Sequence, residues 1–147
     1  MKAINEMNVS FLSCSSNEGF ARAAVAAFVS QLDPTVDELS DIKTAVSEAV
    51  TNCIVHGYRN TLGTVYITVK IFENGKVTIR IRDKGCGIED VQKAMEPLYT
   101  TAGDERAGLG FAVMESFMDR LTVRSRVGQG TTVTLQKVLS RRQVQNG

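Results

Sequence analysis

The sequence predicts an α+β fold, a two-layer sandwich whose mixed, mostly antiparallel sheet carries helices on one face. Three observations predict it. Val65, Ile67, Val69 and Ile71 alternate with Tyr66, Thr68 and Lys70, and Val77, Ile79 and Ile81 alternate with Thr78 and Arg80. The two runs are joined by Glu73-Asn74-Gly75-Lys76, in which Asn-Gly tolerates the positive φ of a tight hairpin. Both runs are apolar on one side only, so one sheet face is wet and the other is covered. Ahead of them stand two segments with apolar residues at helical spacing, which supply the cover.

The remaining elements follow in order. Met7, Val9 and Phe11 alternate with Asn8 and Ser10 and mark a first, half-buried strand. Ser15-Ser16-Asn17 offers an N-cap to a helix whose stripe is Phe20, Ala24, Val25, Phe28, Val29 and Leu32, with Arg22 facing away from it. Leu32-Asp33-Pro34 ends that helix. Thr35 with Glu38 three residues on is a capping box for a longer helix. Its core stripe is Val36, Leu39, Ile42, Val46, Ala49, Val50 and Cys53, and Gly57 is its stop. Glu48, Asn52 and His56 form a polar row on its flank. After Ile88 a short helical stretch leads to Pro97–Ala107, polar and without periodicity, which reads as a mobile loop. Gly108-Leu109-Gly110 opens a third helix through Met118. Leu121, Val123 and Val127 mark a strand, and a Gly128–Gly130 turn leads into a last strand from Thr131 to Val138. Ser140–Gly147 reads as a frayed polar tail.

Composition narrows the classes. The 147 residues suit a single domain, 1–147, with a real core. A formal net charge of +1 supplies no strong field for direct nucleic-acid binding or an anionic membrane surface. No apolar run has the length of a membrane span, and the first residues lack the apolar region of a signal peptide. Cys14, Cys53 and Cys86 are too widely spaced for a zinc site and odd in number for a disulfide framework, so free thiols in a reducing cytoplasm are expected. The phosphate loop G-x-x-x-x-G-K-[ST], the dinucleotide G-x-G-x-x-G and the H-R-D and D-F-G pair are all missing, and the lone His56 excludes a multi-histidine metal cluster.

The chemistry centres on Arg82-Asp83-Lys84-Gly85-Cys86-Gly87-Ile88. Parity along the strand places Asp83 on the apolar side with Val77, Ile79 and Ile81. A buried unpaired carboxylate costs several kcal/mol, so something satisfies it. A strand-end aspartate capping its own glycine-rich turn meets that need, and so does the amino group of a bound base. Three further pieces tip the balance toward the base. Glu48 and Asn52 lie one turn apart on a helix. Arg106-Ala107-Gly108-Leu109-Gly110 sits at a helix N-terminus, where free N–H groups suit phosphate. Gly130-Thr131-Thr132 brings two hydroxyls to the start of a strand.

In this order and separation, the set resembles the Bergerat-fold ATPases, the superfamily of DNA gyrase, Hsp90, histidine kinases and MutL. SEAVTNCIVHGY, RDKGCGI, PLYTT, RAGLGF and GTTVTL look more closely like the anti-sigma-factor serine kinases. That resemblance implies ATP/ADP and Mg²⁺ as ligands. It makes Asn52 the Mg²⁺ ligand, Glu48 the acceptor of the attacking hydroxyl's proton, and Asp83 the reader of adenine. It sets Gly85 and Gly87 beside the base and makes Thr131 or Thr132 the hydroxyl that holds it. It implies nucleotide contacts at Thr100, Thr101, Gly108, Leu109 and Gly110. Arg106, on a lid spanning about residues 97–107, would stabilise charge at the γ-phosphate. The pattern departs from the family at Ala107, where Ser or Gly is common, and at Ala102, where a lysine often follows the threonines; both put more weight on Arg106. The phosphate loop also lacks an upstream glycine that many histidine kinases carry.

With no room for a second nucleotide-sensing domain or a phosphoacceptor helix, the chain is expected to act on another protein. The resemblance implies a sigma factor held inactive by binding, an anti-anti-sigma protein phosphorylated on serine, and a homodimer. Two other readings fit the same motifs: a binding module gated by ATP without phosphotransfer, and the detached catalytic domain of a histidine kinase. Arg22 is a further candidate, a lone basic residue able to meet an acidic patch on a partner.

Overall fold

A computed structural model describes residues 2–96 and 105–140, and of 105–108 the backbone alone. Among the described residues, five strands and four helices follow in the order β1 (Ala3–Leu12), α1 (Asn17–Val29), α2 (Val36–Asn52), β2 (Thr64–Phe72), β3 (Lys76–Asp83), α3 (Val91–Met95), α4 (Glu105–Phe117), β4 (Arg120–Arg126) and β5 (Gly130–Val138). A short 3₁₀ turn, Ser30–Leu32, follows α1, and a π-helical turn, Cys53–Gly57, continues α2. The sheet order is β1-β2-β3-β5-β4, and all four pairings are antiparallel where the sequence allowed a mixed sheet.

The period-two pattern sets the two layers. Val65, Ile67, Val69, Ile71, Val77, Ile79 and Ile81 are all buried, joined by Val133 and Leu135 of β5. Their neighbours Lys70, Arg80 and Arg82 point to the exposed face. Each fully buried isoleucine contributes about 1.5–3 kcal/mol of transfer free energy, so the register that keeps this face inward is strongly specified. Helix α2 packs against both α1 and α4 and closes the core with Ile42, Ala45, Val46, Ala49 and Val50.

The capping box at α2 is complete. Thr35 Oγ1 accepts from Glu38 N at 3.1 Å, and Glu38 Oε1 accepts from Thr35 N at 2.9 Å. The second Glu38 oxygen accepts from Ser140 N at 2.7 Å, so Ser140 is tied to α2 and is not frayed; residues 141–147 lie outside the described residues. Burial works to raise the Glu38 pKa, but the donors from Thr35 and Ser140 outweigh it and hold the carboxylate below its ordinary value.

Four local expectations need correction. Ser16 stands at the N-cap of α1 but makes no side-chain capping bond; the Cys14 and Ser15 carbonyls accept from Asn17 and Glu18 N–H instead. The buried stripe of α1 is Ala21, Val25, Ala26 and Val29, rotated away from Phe20, which is half exposed and meets Phe11 edge-on with ring centroids 6.1 Å apart. Val36 is 84% exposed, because it sits in the first turn, ahead of where α2 reaches the sheet. Val127 lies in the β4–β5 turn, 67% exposed, and does not belong to the strand.

Candidate functional site

β3 ends at Asp83, and its side chain is 4% exposed. Asp83 Oδ1 accepts from Gly85 N at 2.9 Å and from Thr131 N at 3.3 Å. The buried Cys53 thiol donates to the same carboxylate. Burial pushes the Asp83 pKa above its ordinary value, and these three donors pull it part of the way back. For Cys53, burial and the neighbouring Asp83 charge both push the thiol well up, so it stays protonated and serves as a donor.

The turn after Asp83 is held amide by amide. Lys84 N donates to Tyr58 Oη at 2.6 Å, and Tyr58 Oη donates onward to the Thr64 carbonyl at 2.7 Å. Cys86 N donates to the Gly57 carbonyl at 2.9 Å, and Ile88 N to Ser125 Oγ at 2.7 Å. The π-helical turn thus ties the end of α2 directly to the residues around Asp83. At Gly57 an added Cβ would lie 2.7 Å from Asp83 Oδ2, so only glycine lets this turn pass the carboxylate.

Asp83 opens into a cavity of about 720 Å³, whose wall also includes Asn52, Cys53, Gly87, Ile88 and Thr131. The size suits a small organic ligand. Apolar Val133 and Phe111 line it as well, and the cations Arg59 and Lys93 stand on its wall. Asn52 Nδ2 is buried without a hydrogen-bond partner among the described residues. A polar amide left open toward a cavity marks a place where a ligand completes the bonding.

The sequence-derived residues divide as follows. Asp83, Asn52, Gly87 and Thr131 converge on the cavity. Glu48 does not line it but stands beside it: a Cβ on Gly110 would lie 3.2 Å from Glu48 Oε2 and 3.3 Å from both Asn52 amide atoms, so Gly110 lets α4 approach the polar row of α2. Thr132 is excluded by register. It pairs with Arg82 and Arg124 on the exposed face, while Thr131 pairs with Asp83 and Ser125 on the covered one. Gly85 is not on the cavity wall; a Cβ there would meet the Gly57 carbonyl at 2.0 Å, so its smallness serves chain packing rather than the approach of a ligand. Gly87, at φ +76, also abuts the Arg126 carbonyl.

Helix α4 begins at Glu105, so residues 105–107 are helical and not loop, and Gly108-Leu109-Gly110 lies inside the helix. An acidic residue at the first position suits the helix dipole, and the unpaired amides fall upstream of Gly108. Leu109 is 56% exposed. The side chain of Arg106, with Thr100, Thr101 and the 97–104 part of the expected lid, lies outside the described residues. Arg22 is exposed, pairs with Glu18 at 3.3 Å and does not line the cavity. Cys53, Tyr58, Gly57 and Ser125 were not legible as site residues: the first reads as core, and the others act only through neighbours distant in sequence.

Among the described residues no group of three or more His, Cys, Asp or Glu could hold an ion by itself. Asn52 offers a single hard oxygen. That fits Mg²⁺, which keeps several waters and takes few protein ligands when phosphates supply the rest.

An antiparallel sheet covered on one face, a helix-borne asparagine and a buried carboxylate across one cavity define an ATPase-type domain. The model of the histidine kinase-like ATPase domain family matches residues 16–137, and the chain belongs to that family. Within it, the chain belongs with the anti-sigma F factors. It is 57% identical over 141 residues to the anti-sigma F factor of Thermoanaerobacter sp. (strain X514), covering 95% of this chain and 97% of that one. It is 60% identical over 135 residues to that of Clostridium botulinum (strain Eklund 17B / Type B), covering 90% and 94%. Among solved structures, the RsbU and RsbW domains of Rv1364c from Mycobacterium tuberculosis share the fold, with TM-score 0.70 at 21% identity, over 93% of this chain and 32% of that one. Among the described residues no helix is long and apolar enough to cross a membrane.

Proposed function

We propose that this chain is a Mg²⁺-ATP-dependent protein serine kinase that also acts as an anti-sigma factor. It binds a sporulation sigma factor of the sigma F type and holds it inactive, and it phosphorylates an anti-anti-sigma protein on serine. It works in the cytoplasm as a homodimer. The observation that carries the nucleotide part is the buried Asp83 carboxylate facing a cavity shared with the Asn52 amide. Membership of the anti-sigma F factor family supports the partner part.

The roles follow from chemistry. Asp83 accepts from the amino group of adenine, and Thr131 stands beside it. Asn52 Oδ1 holds Mg²⁺, which when bound shields charge on the phosphates. Glu48 takes the proton of the partner's serine hydroxyl as that oxygen bonds the γ-phosphorus and the bond to the β-phosphate oxygen breaks, leaving ADP. Arg106, on the lid side, offsets the charge spreading over the transferred group; Gly108, Leu109 and Gly110 keep the backbone near the phosphates, with Thr100 and Thr101 on the lid. Arg22 contributes a basic contact to a partner.

A specific observation favours a second reading, in which ATP only shapes a docking surface: Glu48 stands beside the cavity and not on its wall. One experiment separates them. The purified chain is mixed with labelled ATP and an anti-anti-sigma protein, and Glu48→Ala is run alongside. Acid-stable phosphoserine that disappears in Glu48→Ala, with ADP binding intact, supports the kinase. Nucleotide binding with no transfer supports the docking module, and an acid-labile product identifies a histidine kinase.

A further inference from the structure

One end of the cavity is governed by a hydroxyl that does not line it. Ser125 Oγ, half-buried on β4, accepts from Ile88 N at 2.7 Å, donates to the Gly130 carbonyl at 3.0 Å and lies 2.8 Å from Thr131 Oγ1. A serine hydroxyl has one proton and two lone pairs. Ile88 N–H occupies one lone pair. A carbonyl can only accept, so the proton goes to Gly130. The remaining lone pair of Ser125 then receives the Thr131 hydroxyl proton. Thr131 therefore turns only lone pairs toward the cavity it lines. Its cross-strand partner is Asp83, whose carboxylate is an acceptor too.

We propose that Ser125 is a positioning residue that fixes the Thr131 hydroxyl as an acceptor, so that this wall selects a base with an exocyclic amino group and rejects the 6-oxo base of the same shape. The proposal rests on the adenine-nucleotide reading above. An amino group offers an N–H to each of two acceptors. A keto oxygen sets lone pairs against lone pairs, which leaves buried groups unsatisfied. Without Ser125 the Thr131 hydroxyl is free to turn and donate to that oxygen.

The test is calorimetric titration of the full chain with ADP and with IDP, whose base carries a keto oxygen in place of the amino group and a proton on N1. Ser125→Ala lowers the ratio of ADP to IDP affinity about tenfold, the worth of one hydrogen bond. Ser125→Thr, which keeps the hydroxyl, retains the ratio. Thr131→Val removes the acceptor while leaving Ser125 anchored to Ile88; it lowers the ratio by itself, and adding Ser125→Ala to it changes the ratio no further. Equal weakening of both nucleotides by Ser125→Ala makes Ser125 a mere loop anchor and overturns the proposal. Should that variant not fold, an unmoved ratio in Thr131→Val overturns it instead. A wild-type chain that binds ADP without preferring it to IDP sinks this proposal alone; one that binds neither sinks the nucleotide reading with it.

Discussion

Replacing Asp83 by Asn separates folding from recognition. In the wild type, Oδ1 holds the N–H groups of Gly85 and Thr131, and Oδ2 lies over Gly57. An amide oriented with its oxygen at Oδ1 keeps both backbone bonds and puts an NH₂ donor where Oδ2 stands. The fold loses a buried charge whose ionisation burial opposes, so stability stays within about 1 kcal/mol of wild type or rises. The ligand, by contrast, loses a charge-assisted hydrogen bond worth about 1.5–3 kcal/mol and meets a donor with a donor. That is roughly a ten- to hundredfold loss of ATP or ADP affinity. Titration calorimetry and urea denaturation on the same samples read the two quantities. The pH dependence adds a sign. The folded Asp83 pKa lies above its ordinary 3.8, so the ionised group costs the empty fold stability as pH rises through the folded value, and Asp83→Asn removes that slope. Nucleotide binding favours the ionised form, so wild-type affinity weakens as pH falls into the same window. An affinity within about threefold of wild type, where a lost charge-assisted bond predicts far more, would falsify the role assigned to Asp83.

Three other outcomes are expected. Gly57→Ala places a methyl 2.7 Å from Asp83 Oδ2, so the carboxylate must move; stability falls by about 1–3 kcal/mol and ADP affinity drops at least about tenfold, measured by the same pair of assays, and unchanged affinity contradicts the geometry. Thr35→Ala removes half the capping box and costs about 0.5–2 kcal/mol in denaturant titration without touching nucleotide affinity. Glu38→Gln shows the pH signature of that box: the folded pKa lies below 4.5, so the wild type's advantage is full above 4.5 and shrinks as pH falls through the folded value. An advantage that grows in acid rules this account out.

Local chain geometry made part of this protein legible from the sequence. Alternation has a fixed period of two along a strand, so the covered face of β2 and β3, and Asp83 on it, follow from residue types alone. The Thr35–Glu38 box and the Asn74–Gly75 hairpin are likewise settled within a few residues, because the bonding groups are neighbours in the chain. The resemblance to anti-sigma-factor kinases also rests on short motifs that survive as text.

What only the tertiary structure decided depends on approach between distant segments. Thr131 and Thr132 are equivalent in sequence; the pairing of β5 with β3 puts one beside Asp83 and the other among arginines on the open face. Gly57 looks like a helix stop, yet the carboxylate of residue 83 is what excludes a side chain there. Gly108-Leu109-Gly110 looks like a helix start because glycine propensity is poor, but packing against Glu48 and Asn52 requires a small residue inside the helix, and α4 begins at Glu105 instead. Ser125 carries no signal at all in its own neighbourhood. Its three partners lie on the loop after β3 and at the start of β5, and a hydroxyl acquires a direction only when the fold has assembled the groups that share its proton.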